Sequence, residues 1–193
     1  MTIDASEFFD DDEHRQLYLP EAMKCAGVKI VKGVCFIHSC VSYPELKMEG
    51  ESKPWFKSNA DDFSAVGEAV QRALAAFRYS DLPESVVEPR DLFECESTKR
   101  YRGEWNRFIG FGSRKFYYEG GKIINVSQYK NEIWCVGTTL SADGGASSEY
   151  SRHPSWGAWA HGSMGIGEAV MRAAADCLFK LPRSVRTAKE PPL

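Results

Sequence analysis

The sequence predicts an α+β fold built from two related halves. The heptapeptide GEAVQRA at 67–73 returns as GEAVMRA at 167–173, so six of the seven positions are identical. Similar pentapeptides follow the two copies, LPESV at 82–86 and LPRSV at 181–185. The copies lie too far apart to be units of a solenoid. We therefore expect two pseudo-repeated half-units, each ending in a short helix.

Both copies of the repeat have the pattern of an amphipathic helix. In the first copy, apolar residues recur every three or four positions from Phe63 to Phe77, after the polar capping run at 58–62. A glycine inside a helix costs about 1 kcal/mol relative to alanine. Because both copies contain it, as Gly67 and Gly167, we expect the helices to lie close to a shared sheet. Glutamate and arginine at the repeat's second and sixth positions are spaced for a surface ion pair.

The strands of the first half are expected before its helix. Residues 28–42 are rich in β-branched side chains and are interrupted by Gly33, which predicts either two strands or one bent strand. The polar run 45–57 predicts a loop, since it contains a glycine and a proline. A charged, aromatic helix is expected at 90–108, with a break near Gly103.

The second half repeats this order with different details. The segments 115–118 and 122–126 flank the turn 119–121, which predicts a hairpin. A further strand is expected at 132–137. Together the two halves predict an antiparallel or mixed sheet, with the repeated helices packed on it.

The 193 residues fit one domain, with half-units at about 28–86 and 114–185 and an acidic lead-in at 1–16. The net charge of -3 gives no general attraction to nucleic acid, so we expect none to be bound directly. The first residues are acidic and no window holds 18 apolar residues, so we expect neither a signal peptide nor a membrane span, and a cytoplasmic protein. The six cysteines are then reduced thiols.

The sequence contains few residues in catalytic spacings. No dinucleotide or phosphate-binding fingerprint, G-x-S-x-G or H-E-x-x-H motif is present, and the cysteines form no C-x-x-C pair. We therefore expect no catalytic residues, no cofactor and no metal. The alternative is a small cytosolic enzyme that uses His38 and Cys40, which share one face of a strand, or His153 and His161, which flank a tryptophan segment.

Residues typical of binding surfaces are better represented. Tyrosine and tryptophan are common among residues that dominate interfaces, and acidic clusters suit a basic partner. The candidates lie in the lead-in, in the long loop 141–153 and just after it: Asp10, Asp11, Asp12, Glu13, Glu149, Tyr150, Trp156 and Trp159. Two other interpretations stay open, namely a solvated lead-in and tryptophans that fill the core beneath the repeated helix.

Residues 61–177 resemble the immunity proteins of bacterial contact-dependent growth inhibition systems. The resemblance rests on the capping run and helix at 61–74, the strand-rich segment 113–138 and the second helix at 166–177, with the charged helix containing Trp105 between them. The acidic lead-in and the loop 141–153 are longer than this family's pattern. The resemblance provides no catalytic residues for this sequence, and it does not identify which residues contact a toxin.

The resemblance implies a protein that is not an enzyme. Its partner would be the C-terminal domain of a cognate toxin, often a nuclease, which it would bind and neutralise in the cytoplasm. An acidic surface would favour encounter with a basic, nucleic-acid-cleaving partner.

Overall fold

The computed structural model describes residues 23–43, 48–82, 86–110, 112, 115–116, 119–141, 146–147 and 155–180. The lead-in candidates, the loop candidates Glu149 and Tyr150, and His153 lie outside these residues. The ten strands are β1 (Met23–Val31), β2 (Val34–Tyr43), β3 (Met48–Asn59), β4 (Arg78–Tyr79), β5 (Lys122–Tyr129), β6 (Glu132–Gly137), β7 (Thr139–Ser141), β8 (Ala146–Ser147), β9 (Ser155–Trp159) and β10 (Leu178–Lys180). The helices are α1 (Phe63–Ala75), α2 (Pro89–Glu94), α3 (Glu96–Ile109) and α4 (Ser163–Ala175).

The fold is α+β, as the sequence predicts. A seven-stranded sheet has the order β3-β2-β1-β5-β6-β9, in which all neighbours are antiparallel, and the short β4 pairs in parallel with β2. A second sheet has the order β10-β7-β8. The central pair β1–β5 therefore has the remaining strands of the first half on one side and those of the second half on the other. That the halves are related as a pseudo-repeat stays a prediction.

Two turns fix the hairpins at the centre of the sheet. Lys32 and Gly33, with φ of 51° and 73°, join β1 to β2, so the glycine marks a turn between two strands rather than a bend within one. Positive φ at both central residues is the geometry that matches the twist of a hairpin. The hairpin of the second half joins β5 to β6 and turns at Lys130, where φ is 52°.

Three local predictions are wrong. Residues 48–59 form an edge strand rather than a loop, because an edge strand tolerates polar side chains and a proline such as Pro54. Lys115 and Phe116 are helical, and the Phe116 N–H donates to the Gly112 carbonyl at 3.0 Å. The charged helix breaks at Cys95, whose extended backbone separates α2 from α3, and not at Gly103.

The repeated segments form α1 and α4, which pack against each other as well as on the sheet. Asp62 caps α1 by accepting a hydrogen bond from the Ala65 N–H at 3.0 Å. A Cβ on Gly67 would overlap the Ser163 carbonyl, and a Cβ on Gly167 would overlap the Phe63 carbonyl. The glycines therefore allow close approach between the two helices, whereas the sequence predicted close approach to the sheet.

The predicted ion pairs within the repeat are replaced by contacts with aromatic rings. The guanidinium of Arg72 lies 4.5 Å from the ring centre of Phe56, and that of Arg172 lies 5.3 Å from that of Trp156. Cations over aromatic faces are attracted by the ring quadrupole. The two arginines thus fasten each repeated helix to the strand that precedes it.

The sheet has two covered faces with different cores. Alternate strand residues, such as Val28, Ile37 and Ile124, pack with α1 and α4 in an apolar core, and we call this side the repeat-helix face. The intervening residues, such as Phe36, pack with Trp105 and Ile109 of α3, and we call this side the α3 face. None of the helices in the described part of the chain is long and apolar enough to cross a membrane.

Candidate partner-binding surface

Two predicted binding residues, Trp156 and Trp159, lie on β9 but have different surroundings. Trp156 is half-buried against the repeat-helix core, and its indole N–H donates to the Asp176 carboxylate at 2.6 Å. The Arg172 guanidinium covers its ring. Trp156 therefore fastens β9 to the C-terminal end of α4, as the core-filling interpretation of this tryptophan expected.

Trp159 is the tryptophan available for contact. Its side chain is 60% exposed, and its only described ring neighbour is His161, which stacks on it with 6.3 Å between ring centres. The turn after it is fixed, since the Ala160 N–H donates to the Asn131 carbonyl at 2.8 Å and the Gly162 N–H to the Trp159 carbonyl at 3.0 Å. A rigid backbone thus presents a large, exposed indole, which lowers the entropic cost of using it in an interface.

The strand register places two more aromatic residues on the side of the sheet that carries Trp159. Glu132 of β6 is paired with both Tyr129 of β5 and Trp159 of β9, and Trp134 is one row further along. A Cβ on Gly157 would lie 3.0 Å from the Trp134 ring, so the glycine leaves room for that indole. We call Tyr129, Trp134 and Trp159 the aromatic sheet surface.

Sequence reasoning missed Tyr129 and Trp134. Both side chains are of intermediate exposure and lie on the α3 face, in the half of the sheet away from the Trp105 cluster. The alternation of β6, in which Ile133 and Cys135 are buried and Trp134 is not, was the available signal. The pairing of β6 with β9 could not be predicted from the sequence of β6 alone.

His38 and Cys40, one of the two candidate catalytic pairs, do not provide an accessible base. His38 is 4% exposed, its Nδ1 lies 3.0 Å from the Ser39 carbonyl oxygen, and its ring packs edge-on against Trp105. Burial lowers the pKa of His38, despite the opposing influence of Glu51. Cys40 is also buried, at 8% exposure. A sealed imidazole cannot take a proton from a substrate, so this pair does not form an open catalytic site.

The other predicted catalytic pair is only half described. His161 is exposed and stacked on Trp159, and His153 lies outside the described residues.

All six cysteines are free thiols, and burial raises the pKa of Cys35 and that of Cys135 to about 12. These two thiols are therefore protonated and unreactive near neutral pH. No cluster of three or more metal-binding side chains occurs in the part of the chain that the structure describes.

A polar cluster beneath α3 was not foreseen from the sequence. The Lys29 ammonium lies 2.7 Å from a Glu51 carboxylate oxygen and 5.2 Å from the ring centre of Trp105, and the same oxygen lies 3.7 Å from His38 Nε2. Burial alone would raise the pKa of Glu51, but His38 and the Lys29 ammonium lower it overall. These residues come from β1, β2 and β3, so only the folded sheet brings them together.

The cluster borders a cleft of about 440 Å³ between the sheet and the helices α2 and α3. Tyr101 lines this cleft. Its hydroxyl accepts a hydrogen bond from the Trp55 indole N–H at 2.8 Å, which holds its side chain in place. The α3 face therefore combines aromatic packing with an open cleft that both apolar and charged residues line.

Comparison with known proteins gives a likeness of fold. The sequence matches no protein-family model and no curated protein. A Neisseria meningitidis protein of unknown function is similar in structure with a TM-score of 0.60 and 15% identity, over 81% of this chain and 96% of that one. A chain of the CdiA-CT/CdiI toxin and immunity complex from Yersinia pseudotuberculosis is similar with a TM-score of 0.60 and 17% identity, over 80% of this chain and 97% of that one. The immunity-protein resemblance of the sequence therefore has a counterpart at the level of fold.

Proposed function

We propose that this protein is an immunity protein, which binds and neutralises the C-terminal domain of a cognate toxin. The observation that carries the proposal is the fold likeness to a chain of a toxin and immunity complex, which extends over nearly the whole of that chain. The sequence resemblance of residues 61–177 supports the same function independently of the fold.

The site geometry supports binding rather than catalysis. Trp159 is large, exposed and held by a fixed turn, and Tyr129 and Trp134 extend the same surface. Aromatic residues of this kind carry much of the binding energy in protein interfaces. The proposed contacts are this aromatic sheet surface, Trp156 on the opposite face of β9, and the polar residues Glu149, Tyr150 and the acidic group Asp10, Asp11, Asp12 and Glu13.

The finer parts of the proposal concern the toxin. We propose a nuclease that acts in the cytoplasm, because an acidic lead-in complements the basic surface that a nuclease needs for its substrate. The acidic residues would then increase the association rate, while the aromatic residues would slow dissociation.

The experiment is co-expression with the C-terminal domain of a toxin gene that lies directly before this gene. Cells that make both proteins should survive, and the tagged toxin domain should retain this protein during purification. If the cells die and the toxin domain retains none of this protein, the proposal is refuted. An inactive toxin variant provides the protein for binding measurements without killing the host.

The aromatic surface is tested separately with Trp159→Ala. We expect a dissociation constant about 30-fold higher, which corresponds to about 2 kcal/mol at an interface hot spot. Val87→Ala is the control, since Val87 is another exposed hydrophobic residue, at 79% exposure, and precedes α2 rather than belonging to β9. Equal affinities of the two variants would leave the immunity function standing but remove Trp159 from the interface.

A further inference from the structure

The cleft beneath α3 has an apolar interior. Five of its lining residues are buried apolar or aromatic side chains from β2, α2, α3 and the helical pair at 115–116: Val41, Leu92, Trp105, Ile109 and Phe116. A volume of about 440 Å³ lies in the range of sites that hold small organic molecules. The interior therefore suits the apolar body of a ligand.

The charged residues of the cleft leave an excess of positive charge. Lys29 and Glu51 form a pair at 2.7 Å, and Arg102 also helps to lower the pKa of Glu51, so this one carboxylate offsets a single positive charge of the cleft. Arg78 of β4 and Arg102 of α3 also line the cleft, and neither has a carboxylate within 4.0 Å among the residues described. Two guanidinium groups beside an apolar space favour an anion, because their forked donors match carboxylate and phosphate oxygens.

Neutral hydrogen-bond donors are available as well. Tyr43, Ser97 and Thr98 also line the cleft, although the hydroxyl groups of Ser97 and Thr98 are already hydrogen-bonded to Cys95 Sγ at 3.1 and 3.2 Å. The indole N–H of Trp105, a residue only 2% exposed, has no acceptor in the described structure. Buried polar groups in native proteins nearly always have a partner, so an unpaired donor in the wall of a cleft calls for an explanation. An acceptor atom of a bound molecule would provide one.

We propose that the cleft beneath α3 binds a small organic anion, with its carboxylate or phosphate group at Arg78 and Arg102 and its apolar body against Trp105. The site is separate from the aromatic sheet surface and does not depend on the proposed immunity function. Glu51 stays paired with Lys29 in the complex, so the anion meets the two arginines and not a free carboxylate.

The probe is a set of three molecules that differ in charge: 2-naphthoate, 2-naphthamide and 2-naphthylmethylamine. Binding to the full chain is measured by titration calorimetry and by the indole signals in a nitrogen–proton correlation spectrum. We expect 2-naphthoate to bind at least about 10-fold more tightly than the amide or the amine. Its largest shifts should occur at Trp105, among the five tryptophans of the chain.

Variants locate the anion. The double substitution Arg78→Ala and Arg102→Ala should raise the dissociation constant of 2-naphthoate by about 10-fold or more, since it removes both guanidinium groups. Arg100→Ala is the matched control, because Arg100 lies on the same helix but does not line the cleft, and it should change affinity less than about 2-fold. All three residues are exposed, so the variants should keep the fold.

Three results would overturn the proposal. They are no binding of 2-naphthoate at about 1 mM, equal binding of the three probes, or equal affinity of the double variant and the Arg100→Ala control. None of these results bears on the toxin-binding proposal, which is measured with a different partner.

Discussion

The two faces of the sheet are packed with different kinds of side chain. On the repeat-helix face, α1 and α4 use glycine and alanine to approach each other and cover an apolar core without charged members. On the α3 face, large rings surround the Lys29–Glu51 pair and leave a cleft of about 440 Å³. The first arrangement leaves little room for a ligand or partner. The second has space, charge and exposed aromatic groups, so most of the described residues that we propose for binding lie there.

The difference also concerns what each face contributes to stability. Close-packed small residues tolerate almost no added volume, since protein interiors are packed as densely as organic crystals. A partly buried ion pair recovers in attraction only part of what it loses in hydration. We therefore expect substitutions on the repeat-helix face to have the larger effects on stability, and those on the α3 face to have smaller ones.

The largest effect should come from the repeated glycines. Gly67→Ala or Gly167→Ala would force a methyl group into a carbonyl of the other helix, and each should lower the free energy of unfolding by about 3 kcal/mol. The control Gly103→Ala lies in α3 with nothing within 4 Å of the added carbon, and should raise stability by about 0.5–1 kcal/mol. Urea unfolding measures all three. Equal midpoints for Gly67→Ala and the native protein would show that the helices are not in close contact.

A smaller effect is expected at the ion pair of the α3 face. Glu51→Gln removes the charge that faces Lys29 and should lower the free energy of unfolding by about 1 kcal/mol, a value reduced for the partial exposure of both groups. Glu96→Gln is the control, since its pair with Lys99 is exposed and should contribute less than about 0.5 kcal/mol. If both substitutions cost the same, the pair beneath α3 is no better sheltered than one on the surface.

The pH dependence of stability tests the burial of His38. Because burial lowers the pKa of His38 in the folded state, the unfolded chain binds a proton more readily below about pH 6.5. The free energy of unfolding should therefore fall as the pH is lowered from 6.5 towards 5, by at most about 1.4 kcal/mol per pH unit for this one proton. His38→Gln should flatten this part of the curve. A native curve already flat over this range would mean that His38 takes up its proton equally well in the folded protein.

The last prediction requires no substitution and concerns the reactivity of the thiols. Burial alone would raise the pKa of Cys95, but its hydrogen bonds with Ser97 and Thr98 at the start of α3 lower it overall. Iodoacetamide near neutral pH should therefore modify Cys95 well before Cys35 and Cys135, as measured by peptide mass mapping. Similar rates at Cys35 would show that the repeat-helix face opens readily.

Local patterns predicted the parts of the fold that depend on neighbours in sequence. The periodicity around Val66 and Val70 predicted α1, and the same heptapeptide predicted α4, because helix-forming patterns repeat within a few residues. The edge strand β3 was missed because its polar residues face solvent on an outer strand. Whether a strand is central or outer depends on the order of the whole sheet.

The site was less predictable than the fold. Trp156 and Trp159 were both predicted as contacts from their residue type, which stays a prediction. The structure adds that Trp159 is exposed whereas Trp156 is hydrogen-bonded to Asp176. Lys29 and Glu51 lie 22 residues apart in sequence on different strands, and no spacing rule predicts that they pair. Arg78 and Arg102 line the cleft from two separate elements, β4 and α3. Contacts of this kind follow from topology, which a single sequence does not specify.

The most direct test of this account is a calorimetric titration of the purified protein with the inactivated C-terminal domain of the toxin encoded directly before its gene. We predict a one-to-one complex with nanomolar affinity, which Trp159→Ala weakens by about 30-fold and Val87→Ala leaves unchanged. The absence of a complex at micromolar concentrations, together with no protection of cells that express the active toxin, would contradict it.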